Sequence, residues 1–482
     1  MQRKFVTNLA LVLTLNLLIK PFWILGIDRY VQIAVGAETY GNYYALFNFS
    51  FLLNIVLDFG ITTFNNKNIA QNNHLLSKHF ASIVVLRMML AVVFLIVTII
   101  GGIIIGYSSD MLKMLLVLVF NQALISFILY LRSNLAGLHL FKTDSIISVL
   151  DRTLMIAICG FLLYGHMHDH SFDIRWFIFA QTIAYLLTAV ITLVIVLGKA
   201  KPKGLAWRWP FFMMILKKSY PYAILVLLMT FYNRIDTVML ERMLPDGAEQ
   251  AGIYASAYRL LDATNMIAFL FAGLLLPIFA RMLKLKHPVQ EMVKLSFSLL
   301  VVPAIIIAVC SFSFRHEFMQ MLYSGTPHVA ESSAVFGVLM SCFIPISSTY
   351  IFGTLLTANG NMKELNIMAS TGMLINIVLN LILIPKMQVI GSAYSSLTTQ
   401  LLAAGAQVLM VQHIFRFKIN YRMLAMLFFF VLFVLGINVG VKLLPMGWIT
   451  RFTIAAGGSF AFAFVFRLIS IKNLFRILRE EE

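Results

Sequence analysis

Apolar runs of about 20 residues recur along this chain from one end to the other, each long enough to cross roughly 30 Å of hydrocarbon. Inside a bilayer only helices and closed barrels satisfy their own backbone hydrogen bonds. Short strands of alternating hydrophobicity, the mark of a barrel, do not occur. The chain therefore reads as an all-α polytopic membrane protein. Composition agrees: of 482 residues, 60% are hydrophobic and 12% charged, and the mean hydropathy is +0.89. About fourteen transmembrane helices are predicted, at 5–27, 41–62, 80–106, 111–136, 145–165, 175–198, 219–243, 252–280, 291–313, 332–357, 365–385, 390–414, 423–443 and 449–469.

The net charge is +17. The basic residues are dispersed over short loops, which fits the positive-inside rule and contact with anionic membrane lipids; no nucleic acid partner is expected. Alternate loops divide Lys and Arg roughly 23 to 8, so both termini are expected in the cytoplasm. Arg3 and Lys4 precede a run that reads as an uncleaved first span. Cys159, Cys310 and Cys342 read as buried small hydrophobes. His166, His168, Asp169 and His170 read as a polar loop in preference to a zinc site. No metal and no cofactor is expected. Glu480, Glu481 and Glu482 read as a solvated tail.

Within the apolar pattern lies a repeat. Gly247-Ala248-Glu249, then Gly252 and Tyr254, echoes Gly36-Ala37-Glu38, then Gly41 and Tyr43, at a constant offset. The stretch from Phe231 to Asp262 thus opens a second copy. Between the copies lies 199–218, basic and then aromatic with Trp207, Trp209, Phe211 and Phe212, a composition suited to an interfacial amphipathic helix. The expected organisation is a lobe of six helices at 1–198, a linker at 199–218, and a second six-helix lobe at 219–414. Two extra helices and a cytoplasmic tail follow at 415–482. Six spans per lobe make the repeat parallel.

Charge inside spans is costly and marks internal, functional surface. Counting from the predicted outer ends at 1.5 Å per residue, Lys20, Arg234, Asp236, Arg259 and Asp262 fall in one outer tier, roughly 10–15 Å deep. Asp58, Arg87, Asp151 and Arg152 form a second tier nearer the cytoplasm. For Lys20, Arg234 and Arg259 two roles are open: lining a substrate path, or structural pairing, as Arg259 can with Asp262 at a spacing of three and Arg234 with Asp236 through neighbouring helices. For Arg87 and Arg152 the alternative to lining is snorkelling to the interface, and for Asp58 it is bonding to backbone at a helix end. Pro21, Pro221, Pro277, Pro303 and Pro345 are candidate kinks. Asn376 and Asn380 share a helix face and suit bonding between helices.

The pattern Gly36, Tyr40-Gly41, Tyr43, then Asp58-Phe59-Gly60 and Ile69-Ala70, resembles the start of bacterial polysaccharide flippases of the Wzx type. The segment Tyr232-Asn233-Arg234-Ile235-Asp236-Thr237-Val238-Met239-Leu240 resembles their seventh span, and Gly252-Ile253-Tyr254 followed by Pro277 their eighth. The run from Asn376 to Pro385, with Gly391-Ser392-Ala393, resembles spans eleven and twelve. The resemblance implies the multidrug/oligosaccharidyl-lipid/polysaccharide exporter superfamily, with two six-helix lobes about a central cavity open alternately to each side. It implies, by similarity to the lipid II flippase, cavity cations that meet a lipid-linked pyrophosphate, carried here by position to Lys20, Arg234 and Arg259. Lys20 stands where an arginine is expected, and lysine lacks the bidentate fork. Spans thirteen and fourteen resemble the pair that flanks a groove for the lipid tail.

The function so implied is translocation of an undecaprenyl-diphosphate-linked oligosaccharide from the cytoplasmic to the periplasmic leaflet by alternating access. Lys20, Arg234, Arg259, Arg87 and Arg152 are the candidate substrate-binding cations; Asp58, Asp236 and Asp262 are candidates for ion coupling or charge partnership. Polysaccharide polymerase machinery is an expected partner, and the membrane in question is the bacterial inner membrane. The rival within the superfamily is a cation-coupled multidrug exporter, which would favour acidic and aromatic cavity walls. A membrane glycan polymerase or glycosyltransferase is the rival outside it. Those enzymes carry a long outer loop or paired acids; 314–331 holds only Glu317 and Glu331, so no enzyme activity is expected.

Overall fold

Gly36 determines where the chain first turns. Its φ of 79° and ψ of 165° belong to a region open essentially to glycine. The computed structural model describes residues 14–62, 65, 69, 74–138, 140–164, 172–201, 209–417, 420–466 and 468. Up to Gly36 the chain is helical from residue 14, and it passes through a π-helical segment, α1 (Trp23–Asp28), that begins two residues after Pro21. It continues directly into α2 (Arg29–Leu52), broken only at Gly36. The stretch 28–40 is thus mostly helix, where the spacing of spans predicts a loop.

The expected second span, 41–62, is interrupted. Helix α2 ends at Leu52, a single turn α3 (Ile55–Asp58) follows, and Phe59 is left-handed at φ 42°. Next come α4 (Leu75–Ile105), α5 (Ser109–Gly137), α6 (Phe141–Tyr164) and α7 (Ile174–Ala200). Their ends are set by local chemistry. Gly106, left-handed, stops α4; the Ser108 hydroxyl accepts the Met111 N–H to start α5, and the Asp173 carboxylate accepts the Arg175 N–H to start α7.

Helix α8 (Trp209–Met243) begins ten residues before the predicted seventh span, so 209–218 belongs to that span's own helix. Pro210 sits in its first turn, where a missing N–H has no consequence. The remainder of the expected linker, 202–208, lies outside the described residues, as do His166, His168, Asp169, His170 and the terminal glutamates. Then come α9 (Gly247–Lys284), α10 (Gln290–Ser313), α11 (Arg315–Leu322), α12 (Val329–Ser341), α13 (Phe343–Asn359), α14 (Met362–Phe415), α15 (Tyr421–Lys442) and α16 (Trp448–Val465). Pro345 falls in the first turn of α13, where the tenth predicted span is divided. Spans eleven and twelve are the two arms of α14, which folds back at Gln388 just after Pro385.

Among the described residues there is no strand, and 11 helices are long and apolar enough to cross a membrane. The all-α polytopic class therefore holds. One of them, Met362–Phe415, carries two predicted spans, and the first two predicted spans are not among the 11.

The chain forms two compact units that divide at Ala255/Ser256, inside α9. In the first, α5 packs on α7 and α2 lies along α8. An apolar cluster joins the start of α4 to the end of α5 and the start of α8, through Phe80, Leu86, Tyr130, Leu135 and Phe212. In the second, α14 packs on α13 and α12, while α15 and α16 pair with each other and rest on α10. Phe314, Phe318, Trp448 and Phe452 meet edge to face where α16 reaches α11, with centroids 5.1–5.8 Å apart.

Candidate functional site

Three groups of intramembrane charge stand in the first unit, and each has its own architecture. At the break after α3, Asp58 accepts hydrogen bonds from the Thr62 N–H (3.1 Å) and hydroxyl. Arg87 of α4, only 4% exposed, forms an ion pair with Asp58. Arg87 Nη1 donates to the Ser126 carbonyl and hydroxyl at 2.9 and 2.8 Å, and Nη2 to the Thr62 hydroxyl at 2.6 Å. The guanidinium also lies over the Tyr130 ring, 4.9 Å from its centre. Arg87 thus ties the irregular segment after α3 to α4 and α5. Both terminal nitrogens are engaged by protein, where its place near a helix end suggested snorkelling.

The second group gathers around α6. Arg132 Nε donates to Asp144 at 2.7 Å, and Arg152 lies 3.7 Å from Asp151. The Arg152 guanidinium faces the rings of Trp23 and Tyr185. Lys20 is in electrostatic reach of Arg152, Asp151 and Arg132, and the Asn16 amide donates to Ser148 nearby at 3.1 Å. Lys20 therefore belongs to the deeper tier with Asp151 and Arg152, a correction to its expected place beside Arg234. The reason is the length of the first helix. It runs on to Gly36 rather than ending near residue 27, which puts Lys20 roughly 24 Å from its outer end at 1.5 Å per residue.

The third group is on α8. Arg234, half-buried, directs Nη1 toward the Tyr44 hydroxyl at 3.5 Å and lies 5.5 Å from the centre of the Phe51 ring. Phe47 bridges these two aromatics, with centroids 6.4 Å from Tyr44 and 6.1 Å from Phe51. Asp236, two residues on, faces away from Arg234. It is fully buried and accepts the Tyr254 hydroxyl at 2.9 Å. Thr237 accepts from the Asn48 amide at 3.2 Å. In the second unit, Arg259 and Asp262 lie three apart on α9, both half-buried.

One buried carboxylate escaped the sequence reading. Asp28, wholly buried in α1, accepts the Tyr40 hydroxyl at 2.9 Å and the Gln32 amide at 3.1 Å. Each of the two hairpins is thus braced alike, by a carboxylate on the incoming helix and a tyrosine on the outgoing one: Asp28 with Tyr40, Asp236 with Tyr254. Removing a buried donor costs about 1–3 kcal/mol. Tyr40→Phe and Tyr254→Phe are each expected to lower the unfolding midpoint of the detergent-solubilised protein; an unchanged midpoint in both would show that the braces carry no stability.

The sequence matches the family described as polysaccharide biosynthesis protein over residues 5–283. No curated protein sequence matches it. Among solved structures, the lipid II flippase MurJ in an inward closed conformation is similar at a TM-score of 0.71 and 13% identity, covering 95% of this chain and 98% of that one. An inward-facing multidrug resistance MATE family transporter of the MOP superfamily is similar at 0.63 and 14%, covering 85% and 97%. A MOP superfamily transporter from Pyrococcus furiosus, described as having a binding pocket of reverse polarity, is similar at 0.53 and 15%, covering 84% and 93%. The fold is that of this superfamily, and by the match across more than half its length the chain belongs to the polysaccharide biosynthesis protein family.

Proposed function

We propose that this protein flips a lipid-linked oligosaccharide, joined to its polyprenyl carrier through a diphosphate, from the cytoplasmic to the outer leaflet of the bacterial inner membrane. The observation that carries the reading is the local excess of cations around α6. Around α6, Lys20, Arg132 and Arg152 stand beside Asp144 and Asp151, and Arg234 adds a fourth cation on α8. A diphosphate leaving water needs such charge to offset its desolvation.

The cations are stepped in depth. From the outer ends of their helices, Arg234 lies roughly 14 Å in, Arg152 roughly 18 Å and Lys20 roughly 24 Å. An anion passing along them moves by short steps. The half-buried face shared by Arg234, Phe47 and Phe51 suits a sugar ring next to the diphosphate, because aromatic faces stack on apolar sugar faces while the guanidinium meets phosphate. Arg87 takes no part in this path and holds the fold at α3. Arg259 is proposed as the cation that the second unit offers, with Asp262 beside it as the candidate for ion coupling.

A cation-coupled drug exporter would need acidic groups facing its cargo. Here Asp28, Asp58 and Asp236 are each engaged by tyrosine, threonine or arginine donors, so the arrangement favours an anionic cargo. No catalytic step is assigned. The polyprenyl tail stays in lipid while the head group crosses, both termini lie in the cytoplasm, and a polysaccharide polymerase receives the product. The test is flipping in proteoliposomes: undecaprenyl-diphosphate-linked oligosaccharide should become accessible to an impermeant probe on the far side only when the protein is present. Transport of organic cations in its place would overturn the reading.

A further inference from the structure

The two copies of the sequence repeat meet each other, and they do so reciprocally. A β-carbon built on Gly41 would lie 1.7 Å from the Ala248 carbonyl oxygen and 2.6 Å from the Gly252 nitrogen. One built on Gly252 would lie 1.9 Å from the Ala37 carbonyl oxygen and 2.9 Å from the Ala37 Cα. Ala37 and Ala248 are equivalent positions in the two copies, as are Gly41 and Gly252. Each copy therefore presents Ala-x-x-x-Gly at the first turn of its second helix, and the glycine of each rests on the alanine of the other. Small residues four apart let helix backbones touch inside a membrane.

We infer that this crossing is the outer seal of the transport path, closed here and parted when the protein opens outward, and that glycine at 41 and 252 is required for it to close. The inference rests on the alternating-access reading of the preceding section. Three features support a seal over a static joint. The contact lies at the turns that end each hairpin, after the break at Gly36 and at the start of α9, which on the alternating-access reading face the outer side. It joins equivalent elements, the ones a two-copy transporter must separate. It is made of backbone and small side chains, whose attraction falls off within a fraction of an ångström, so it is tight when closed and cheap to open. The buried braces Asp28–Tyr40 and Asp236–Tyr254 hold each hairpin rigid, so each moves as one piece. Next to the seal, Arg242 adds a latch from α8 to the α4–α5 turn. It donates to the Gly106 carbonyl at 3.3 Å and lies 4.2 Å from the centre of the Tyr107 ring.

The experiment uses the full chain with Cys159, Cys310 and Cys342 replaced by alanine and a reporter, Asn48→Cys, placed inside the seal where α2 faces Thr237 of α8. Spheroplasts are treated with a membrane-impermeant maleimide. In Gly41→Ala and in Gly252→Ala the labelling rate is expected to rise about tenfold, the response to weakening the closed state by roughly 1.4 kcal/mol. Gly160→Ala, where an added methyl meets nothing within 4 Å, is expected to leave the rate unchanged. Equal labelling in parent, Gly41→Ala and Gly252→Ala would overturn the seal. Should either alanine variant fail to accumulate, Ala37→Val and Ala248→Val, which widen the same crossing, decide by the same reading. Because labelling needs no cargo, a rise in labelling in a protein that flips no lipid-linked oligosaccharide would uphold the seal and remove the cargo assignment alone.

Discussion

Arg87→Met is expected to be the most destabilising single change in the first unit. It leaves Asp58 inside the fold without its cation, and breaking a buried pair by removing one partner costs about 3–5 kcal/mol. The same change frees the Ser126 carbonyl and the Thr62 hydroxyl from their donor. Expression should fall, and the unfolding midpoint of what remains should drop. Replacing the pair together, as Asp58→Asn with Arg87→Met, should recover much of the loss, since a neutral pair is far cheaper to bury. A substrate contact behaves otherwise: Arg87→Met would then be stable and inactive, and the second substitution would restore nothing. Thermal melting of both variants, read by size-exclusion profile, separates the two.

Arg234→Ala is expected to do the opposite, reducing transport while leaving the fold intact. Arg234 is half-buried, and Asp236 keeps Tyr254 when it is replaced. Hydrogen bonds to a charged group are worth about 1.5–3 kcal/mol, which corresponds to a loss of roughly ten- to a hundredfold in the rate of flipping. Arg234→Lys should keep the charge but lose the fork, and fall between the two. Phe51→Ala should cost less, about 0.5–1 kcal/mol, the worth of a cation over a ring where both remain partly in contact with solvent or lipid. Initial rates in proteoliposomes measure all three. A full rate in Arg234→Ala would make that arginine a structural residue.

The helices were legible because apolar length is a direct physical requirement of the bilayer, and every predicted span is mostly helical among the described residues, the second and tenth being interrupted. The repeat was legible as well, though its meaning was not: five matched positions announce a second copy, but only the structure brings Gly41 onto Ala248. The depth of Lys20 was misjudged through three residues. Asp28, Arg29 and Glu38 look like a solvated loop, whereas Asp28 is buried against Tyr40 and the helix runs on to Gly36. A charge near the expected end of a span is a sound loop signal only when it has no internal partner, and Tyr40 lies twelve positions away. Arg87 was undecidable for a related reason. Its partner Asp58 is brought to it by the break at Phe59, and a left-handed phenylalanine has no reliable sequence signature beyond the Gly60 that follows. Asp236 read as a candidate for ion coupling because the tyrosine that binds it, Tyr254, belongs to the next helix.

One experiment reaches the proposed cargo without purification. In cells lacking this gene, lipid-linked oligosaccharide is measured separately on the cytoplasmic and outer faces of the inner membrane, with and without the parent protein or well-expressed Arg234→Ala. Precursor should accumulate on the cytoplasmic face, clear when the parent protein is restored, and persist with Arg234→Ala. If none accumulates when the gene is absent, lipid-linked oligosaccharide is not what this protein moves.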